Sequence, residues 1–179
     1  MENISQILES GNSEEKIKIL ETLDSTNNPE ILEKIISKLD DDDIQVRGEA
    51  FSSLVLNKNK ISNFLINNLN SASKNIRGFV SLVLANRNET IAIPELIKLA
   101  NDERSMVRSC AIGALGYLKA QEAKEIFLKS LLDHNLEVRK SALQAIIDLE
   151  IIISEEIIKE INKEKDSEIE KLLSSLKKM

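Results

Sequence analysis

The sequence contains few of the residues that form tight turns or large aromatic cores. Its 179 residues include five glycines, two prolines, one tyrosine, four phenylalanines and no tryptophan. A β-sandwich or barrel needs turn residues about every 8–12 positions, and so few glycines and prolines do not supply them. Hydrophobic residues make up 42% of the chain. A core with so few aromatics must therefore consist mainly of isoleucine and leucine.

The sequence also lacks the features of a secreted or membrane protein. Its single cysteine, Cys110, excludes an intrachain disulfide and is typical of a reducing compartment. No apolar run approaches the ~18 residues of a transmembrane span. Residues 1–11 show no basic region followed by a long apolar stretch, as a secretory signal would. We therefore expect a cytoplasmic protein without a membrane partner.

Side chains that build metal and catalytic centres are scarce. With one histidine, His134, and one cysteine, neither a zinc site nor a Cys–His nucleophile is expected. The aspartates at 40–43 lead directly into a helix and lack the glycine and closing glutamate of a calcium loop, which favours a turn over a metal site. We predict no catalytic residue, no metal and no cofactor. Cys110 is interpreted as a structural thiol, with a reactive nucleophile as the alternative.

What the sequence does contain is an internal repeat. An apolar residue followed by arginine recurs at intervals of 30, 31 and 31 residues. The four pairs are Val46-Arg47, Ile76-Arg77, Val107-Arg108 and Val138-Arg139. Four and eight residues after each apolar member lie further apolar residues, which places all three on one face of a helix. Each such segment follows another amphipathic segment, so the repeating unit is a helical hairpin of about 31 residues.

The same frame continues with lower fidelity at both ends of the chain. Lys16 occupies the arginine position of an earlier unit, and Ile169-Glu170 replaces the apolar–arginine pair in a last one. Terminal repeats are often atypical because their outer face is polar. We therefore predict a single domain over residues 1–179 with six helical hairpins and twelve helices. The hairpins are expected at about residues 2–24, 28–57, 60–87, 90–118, 121–149 and 154–177.

Three segments of this frame, residues 41–54, 102–118 and 133–149, resemble HEAT repeats. They are similar in particular to the short HEAT-like units first associated with phycobilisome lyases. The resemblance implies an all-α fold, a right-handed α-solenoid of the HEAT/armadillo type, over nearly the whole chain. The unit at 71–84 departs from the pattern because Ser71 and Ser73 replace both turn aspartates. Since one fold carries many functions, the resemblance indicates architecture more than activity.

The resemblance also implies a structural role for the repeated arginines. In such units a turn aspartate commonly pairs with the helix arginine of a neighbouring repeat, giving a ladder along the stack. Three residues before the apolar member, the turn holds Asp43, Ser73, Arg104 and Asn135. All but Arg104 can cap the following helix, and only Asp43 can form an ion pair. The predicted ladder comprises Asp43, Arg47, Arg77, Arg108 and Arg139. The alternative is that the arginines contact an anion or nucleic acid.

The predicted second helix of each hairpin has an outer ridge with almost no charge. Positions two, six and nine after the apolar member face away from the core side. In the four central units these are Gly48, Ser52, Val55, Gly78, Leu82, Ala85, Ser109, Gly113, Gly116, Lys140, Gln144 and Ile147. Each exposed helical glycine costs about 1 kcal/mol relative to alanine, yet four of the five glycines are here. Second helices usually line the concave side of a solenoid. We therefore predict a smooth groove for a partner helix or extended segment.

Arg87, Arg104 and Tyr117 are expected at the rim of this groove, since arginine and tyrosine are common in interfaces. Two alternatives remain open. Glycine nine residues after the apolar member can serve tight local packing instead of binding. The binding surface can also be the stretch at residues 51–88, which has five lysines or arginines and no acidic residue.

These features favour a non-catalytic protein–protein interaction module, such as an adaptor, a scaffold or a chaperone-like subunit, with a protein partner of unknown identity. One alternative is a lyase-like solenoid. Another is a nucleic-acid-binding solenoid that uses the basic residues of the central repeats, namely Lys74, Arg77, Arg87, Arg104 and Arg108. A net charge of −6 and the lack of tryptophan argue against nucleic acid as the partner. The oligomeric state is left open.

Overall fold

The computed structural model describes residues 2–176, which form two compact units. The first unit extends to Asn88 and the second begins at Glu89. Each contains six α-helices, and no β-strand occurs within residues 2–176. The predicted all-α fold with twelve helices is confirmed. The single domain over residues 1–179 stays a prediction, and residues 1 and 177–179, which it includes, lie outside the described part of the chain.

The helices pair into successive hairpins. Those of the first unit are α1 (Glu2–Ser10), α2 (Ser13–Leu20), α3 (Pro29–Ser37), α4 (Ile44–Leu56), α5 (Ser62–Asn67) and α6 (Lys74–Asn86). Those of the second unit are α7 (Ile93–Leu99), α8 (Ser105–Tyr117), α9 (Lys124–Ser130), α10 (Leu136–Asp148), α11 (Glu155–Ile161) and α12 (Ser167–Leu176). The second helices of the four central hairpins, α4, α6, α8 and α10, are each 13 residues long. None of the described helices is long and apolar enough to cross a membrane.

The repeated apolar stripe forms the core of both units. The residues four and eight positions after the apolar member are fully buried in all four central second helices; they are Ala50, Val80, Ala111, Ala142, Leu54, Leu84, Leu115 and Ile146. The apolar members themselves are buried except for Ile76, which is half-buried. Burying a leucine or isoleucine contributes roughly 1.5–3 kcal/mol. The stripe therefore holds each second helix against the first helix of its hairpin.

Side-chain caps determine where several helices begin. Asp43, Ser73 and Asn135 each accept a hydrogen bond from a backbone N–H two or three residues ahead, at the start of α4, α6 and α10. Arg104 occupies the same position before α8 and caps nothing. Asn28 caps α3, whose first residue is Pro29. The sequence predicts the caps at Asp43, Ser73 and Asn135 because these side chains can satisfy N–H groups that lack a helical partner.

Three central second helices end in the same way. Asn88, Lys119 and Glu150 follow α6, α8 and α10 and have φ angles of 57°, 55° and 54°. This left-handed conformation is typical of the residue after a helix and turns the chain out of the helical path. No glycine is present at these positions, so each side chain accepts a conformation that L-residues rarely adopt. After α4 the chain differs, because Asn57 is extended, with φ −61° and ψ 118°.

Candidate partner-binding groove

In the second unit, α8 and α10 run parallel and close together. Near their beginnings the hydroxyl oxygens of Ser109 and Ser141 are 2.9 Å apart. Near their ends, a Cβ added to Gly116 would lie 2.8 Å from the Cβ of Ala145. Real Cβ atoms do not approach that closely, so the approach of the two helices at this point requires a glycine.

A groove of about 550 Å³ opens beside this contact, between α8, α10 and α12. Five of the residues predicted for the binding surface line it: Gly113, Gly116, Tyr117, Lys140 and Gln144. A Cβ added to Gly113 would meet no atom within 4 Å. Gly113 therefore opens onto free space, whereas Gly116 is held against α10.

Six further residues that sequence reasoning missed line the same groove: Ser141, Ala145, Asp148, Glu168, Lys171 and Leu172. The first three lie on α10 beside the predicted ridge. The others belong to α12. The sequence predicts α12 only as part of the atypical terminal repeat, in which Ile169-Glu170 replaces the apolar–arginine pair. Had the ridge been extended over this last repeat, the frame of Ile169 would have pointed to Lys171, two residues further on.

Part of the predicted ridge is not on the surface. Gly78, Ala85 and Gly116 are buried, which corrects the expectation of an exposed ridge at these positions. For Gly116 the cause is the side-by-side packing of α8 and α10, which covers part of the face opposite the first helix. Gly116 packs against Ala145, as the alternative of tight local packing expects, and it also lines the groove.

The other ridge residues retain some exposure. Gly48 and Gln144 are exposed, and an added Cβ at Gly48 would meet nothing within 4 Å. The remaining ones are half-buried: Ser52, Val55, Leu82, Ser109, Gly113, Lys140 and Ile147. Those on α4 and α6 belong to the first unit and those on α8 and α10 to the second.

Only one of the three predicted rim residues borders the groove. Tyr117, the last residue of α8, is 62% exposed and lines it. Arg104 precedes α8 at the opposite end, about 20 Å away for a helix of this length, and lies 3.3 Å from Glu103. Arg87 donates to the backbone carbonyls of Leu54, Asn57 and Asn59. Its guanidinium therefore holds the loop after α4, and the rim role of Arg87 stays a prediction.

The repeated arginines hold the turns that precede their own helices. In each central unit the Nη1 atom donates to the carbonyl of the residue six positions earlier. The distances are 2.7 Å for Arg47, 2.8 Å for Arg77, 2.9 Å for Arg108 and 2.7 Å for Arg139. These bonds satisfy backbone oxygens within the turn and occupy cations that the nucleic-acid alternative requires. Of the five basic residues named for that alternative, Lys74 and Arg104 are exposed.

Ion pairs between successive hairpins involve a different aspartate from the one predicted. Arg108 pairs with Asp133 through two hydrogen bonds of 2.8 Å, and Lys16 lies 2.9 Å from Asp41. Both acids stand five residues before the apolar member. Asp43, the predicted ladder acid, is instead the cap of α4, with its carboxylate 2.8 Å from a backbone nitrogen. The acidic partner therefore comes from the first aspartate of the turn, because the last one already satisfies the helix.

Burial and hydrogen bonding have opposite effects on these paired acids. Burial alone would raise the pKa of Asp133, but the hydrogen bonds from Arg108 and from the backbone of Asn135 hold it below its usual value. The same balance, with Lys16 as the main partner, lowers the pKa of Asp41. The side chains of Arg108 and Asp133 are only 9% and 13% exposed, so solvent screens this pair weakly.

The groove itself holds one matched cluster of charges. Lys140 contacts Glu168 of α12 and lies 3.0 Å from Glu137. Hydrogen bonds to Glu168 and Glu137 raise the pKa of the Lys140 ammonium. The lysine therefore remains charged and joins α10 to the last helix.

Among residues 2–176 no metal centre is evident, and the one thiol is protonated. They contain no group of three or more histidine, cysteine, aspartate or glutamate side chains placed to hold a metal ion. Burial raises the pKa of the Cys110 thiol to about 11. A thiol with that pKa is almost fully protonated at neutral pH and is a poor nucleophile, in keeping with a structural role.

Comparisons with known proteins agree on the architecture. Residues 62–147 match the family model for HEAT repeats, and residues 19–48 match the model for the HEAT repeat associated with sister chromatid cohesion. No curated protein sequence matches the chain.

Several solved structures share the fold. The complex of CpcE and CpcF of phycocyanin lyase from Nostoc sp. PCC7120 contains a chain with 18% identity and a TM-score of 0.68, covering 83% of this chain and 99% of that one. A designed armadillo repeat protein in complex with the peptide (KR)4 has 19% identity and a TM-score of 0.59, with coverages of 98% and 97%. At such identities the likeness shows the fold alone, and it confirms the predicted α-solenoid.

Proposed function

We propose that this chain, which is a HEAT-repeat protein, is a non-catalytic protein-interaction module that binds a segment of a partner protein in the groove between α8, α10 and α12. An adaptor, a scaffold or a chaperone-like subunit would each use such a surface. The single cysteine, with its largely protonated thiol, suits a reducing cytoplasm, which is the compartment we propose.

The observation that carries the proposal is the shape of the groove. Its volume of about 550 Å³ is in the range of pockets that hold small ligands or a few side chains. Gly113 leaves open space on one wall, and the Gly116–Ala145 contact keeps the floor free of large side chains. A partner backbone can therefore approach α8 more closely than it could approach a helix carrying side chains at these positions.

Gly48, Ser52 and Val55 of α4, with Leu82 of α6, are proposed as a second contact region in the first unit. The support for this region is Gly48, which is exposed and at which an added Cβ would meet no atom within 4 Å.

The groove proposal is tested by selecting partners that depend on it. A displayed library of random dodecapeptides is selected on the wild-type chain and depleted on a Gly113→Glu variant. Because a side chain at Gly113 enters open space, the variant should keep its far-UV circular dichroism and should not melt at a lower temperature than the wild type. Its affinity for the selected peptides should fall by about tenfold or more, as expected when a central interface position is blocked.

Gln121→Glu is the matched control, since it adds the same charge at an exposed position of the second unit outside the groove. It should bind the peptides as the wild type does. Failure to obtain any peptide that distinguishes Gly113→Glu from both other chains would contradict the proposal.

A lyase-like activity is the second candidate, because the fold is shared with a phycocyanin lyase chain. It would require acid–base or nucleophilic groups in the groove, where the charged residues are Lys140, Asp148, Glu168 and Lys171. Transfer of a bilin to a phycocyanin subunit, followed by absorbance, tests this candidate directly. Transfer that requires Asp148 or Glu168 would favour it over a purely binding role.

A further inference from the structure

Building on the proposed groove, we propose that its Tyr117–Asp148 end binds a cationic side chain, lysine or arginine, of the partner segment. This inference adds the chemistry of the occupant to the proposed function and fails if no peptide binds in the groove. Its basis is the arrangement of charge along the groove and the exposure of one aromatic ring.

Tyr117 and Asp148 occupy the same position in successive repeats. Each is the last residue of a 13-residue helix, α8 or α10. Because these helices run parallel, both side chains stand at the same end of the groove, where two helix carboxyl ends meet. The carboxyl end of a helix carries a partial negative charge, so this end attracts cations.

The carboxylate of Asp148 strengthens that attraction. Its Oδ1 atom accepts a hydrogen bond of 2.8 Å from the neutral amide of Gln144, and within residues 2–176 it forms no ion pair. An acidic residue in the last turn of a helix is unfavourable for its own helix. A bound cation would remove that repulsion and would find an acceptor already positioned by Gln144.

The other end of the groove has a different charge balance. Lys140 contacts Glu168 at the start of α12, so the beginnings of α10 and α12 meet there. Lys140 is already matched by two carboxylates, and Lys171 follows within the first half of α12. The carboxylate without an ion pair therefore lies at the Tyr117 end and favours a partner whose cation is placed there.

Lys119 shows that a cation is accommodated at the Tyr117–Asp148 end of the groove. Its ammonium lies 3.3 Å from the backbone carbonyl of Asp148, which places a cation at the end of α10. The Lys119 ammonium bonds the backbone carbonyl of Asp148, so the Asp148 carboxylate remains available to a cation of the partner. Lys119 also repels the partner's cation, so removing its charge should strengthen binding.

Tyr117 completes the site. Its ring is 62% exposed, although the next residue, Leu118, is buried. A lysine or arginine can lay its apolar stem along such a ring and gain a cation–π contact while its charged head reaches a nearby carboxylate. Neither interaction requires a change in the backbone of α8 or α10.

The test uses the peptides selected on the wild-type chain and depleted on Gly113→Glu. The prediction is that they share a lysine or arginine. Replacing it by glutamine should weaken binding to the wild type by about fivefold, the size expected for an exposed ion pair with a cation–π contact. In the Asp148→Asn variant, the same replacement should weaken binding by less than about twofold, because the carboxylate that pairs with the cation is gone. The two replacements together form a double-mutant cycle, which isolates the coupling between the cation and Asp148.

Glu125→Gln is the control for net charge, because it removes one exposed carboxylate outside the groove. In this control, replacing the peptide's cation by glutamine should weaken binding as much as it does for the wild type. In Tyr117→Leu the same replacement should weaken binding less. Lys119→Met should bind the cationic peptide more tightly than the wild type does. Peptides that depend on Gly113 but carry no shared cation, or whose cation shows no coupling to Asp148, would overturn this inference and leave the groove itself intact. If no peptide depends on Gly113, both proposals are wrong.

Discussion

The two units build successive hairpins from the same 31-residue frame, and the first unit adds neutral amide links to the kind of ion pair that both units contain. In the second unit a buried ion pair, Arg108 with Asp133, joins one hairpin to the next. In the first unit Lys16 pairs with Asp41 at 2.9 Å. The same two hairpins are also joined by neutral amides: Asn57 donates to the carbonyl of Thr26 at 2.7 Å, and Asn59 donates to Ser25 at 2.8 Å.

One link of the first unit also lacks the acid that would form an ion pair. Arg47 of α4 corresponds to Arg108 of α8, but the acid position of the following hairpin holds Ser71 instead of an aspartate. At the other end of these helices, asparagine side chains and Arg87 bond backbone carbonyls in the adjoining loops. One repeat frame thus tolerates either a charged or a neutral link, provided that the buried polar atoms find partners.

The spacing of second helices also differs between the units. Gly116 and Ala145 allow α8 and α10 to approach closely, whereas the corresponding positions of α4 and α6 are Val55 and Val83. The described groove of about 550 Å³ lies where the small pair occurs. The closely approaching small pair thus accompanies the groove of the second unit.

The largest expected effect comes from removing the charged link. Arg108→Ala leaves the Asp133 carboxylate buried without its partner and should lower the free energy of unfolding by about 3 kcal/mol. Urea unfolding followed by circular dichroism measures it. Arg104→Ala, at an exposed arginine, should change stability by less than about 0.5 kcal/mol. Equal effects of the two substitutions would show that the charged link does not stabilise the second unit.

Two glycines of α8 should respond to alanine with opposite signs. Gly116→Ala forces a methyl group against Ala145 and should destabilise the chain by about 2 kcal/mol. Gly113→Ala meets nothing and should stabilise it by about 0.5–1 kcal/mol, the difference in helix propensity. Thermal melts of both variants measure the contrast, and two shifts of the same sign would contradict the close approach of α8 and α10.

The neutral link of the first unit should be weaker than the charged one. Asn57→Ala removes the donor to Thr26 and the acceptor for the Asn59 N–H, and should cost about 1–2 kcal/mol. Because no charge is involved, the loss should be the same in low and high salt. A loss that shrinks with added salt would mean that the loop is held electrostatically.

The smallest expected effect is a change in acid sensitivity. The pKa of Asp133 is lowered in the folded chain, so its pairing contributes stability above the ordinary value near 3.8 that is lost as pH falls through the folded value. Asp133→Asn should therefore flatten the fall in unfolding free energy below about pH 4. Denaturant melts at a series of pH values measure the slope, with Asp42→Asn, at an exposed aspartate, as the control. An unchanged slope in Asp133→Asn would contradict the pairing.

Much of the fold was accessible from the sequence because helical periodicity is local. The apolar residues at positions zero, four and eight predicted the buried face, and Asp43, Ser73 and Asn135 predicted three helix starts. The identity of the ladder acid was not accessible in the same way. Asp41 and Asp43 lie in one turn, and either can cap or pair; only the direction of each carboxylate in space assigns the roles.

Some features of the candidate groove follow from the sequence, and others require the tertiary structure. The sequence by itself determined that the second helices carry almost no charge and four glycines on the side away from the core. Only the tertiary structure decided that Gly116 is held against Ala145 while Gly113 is open, and that α12 supplies one wall of the groove. The physical reason is that periodicity reports which face of a helix is apolar, whereas a groove depends on the distance between helices that are far apart in the chain.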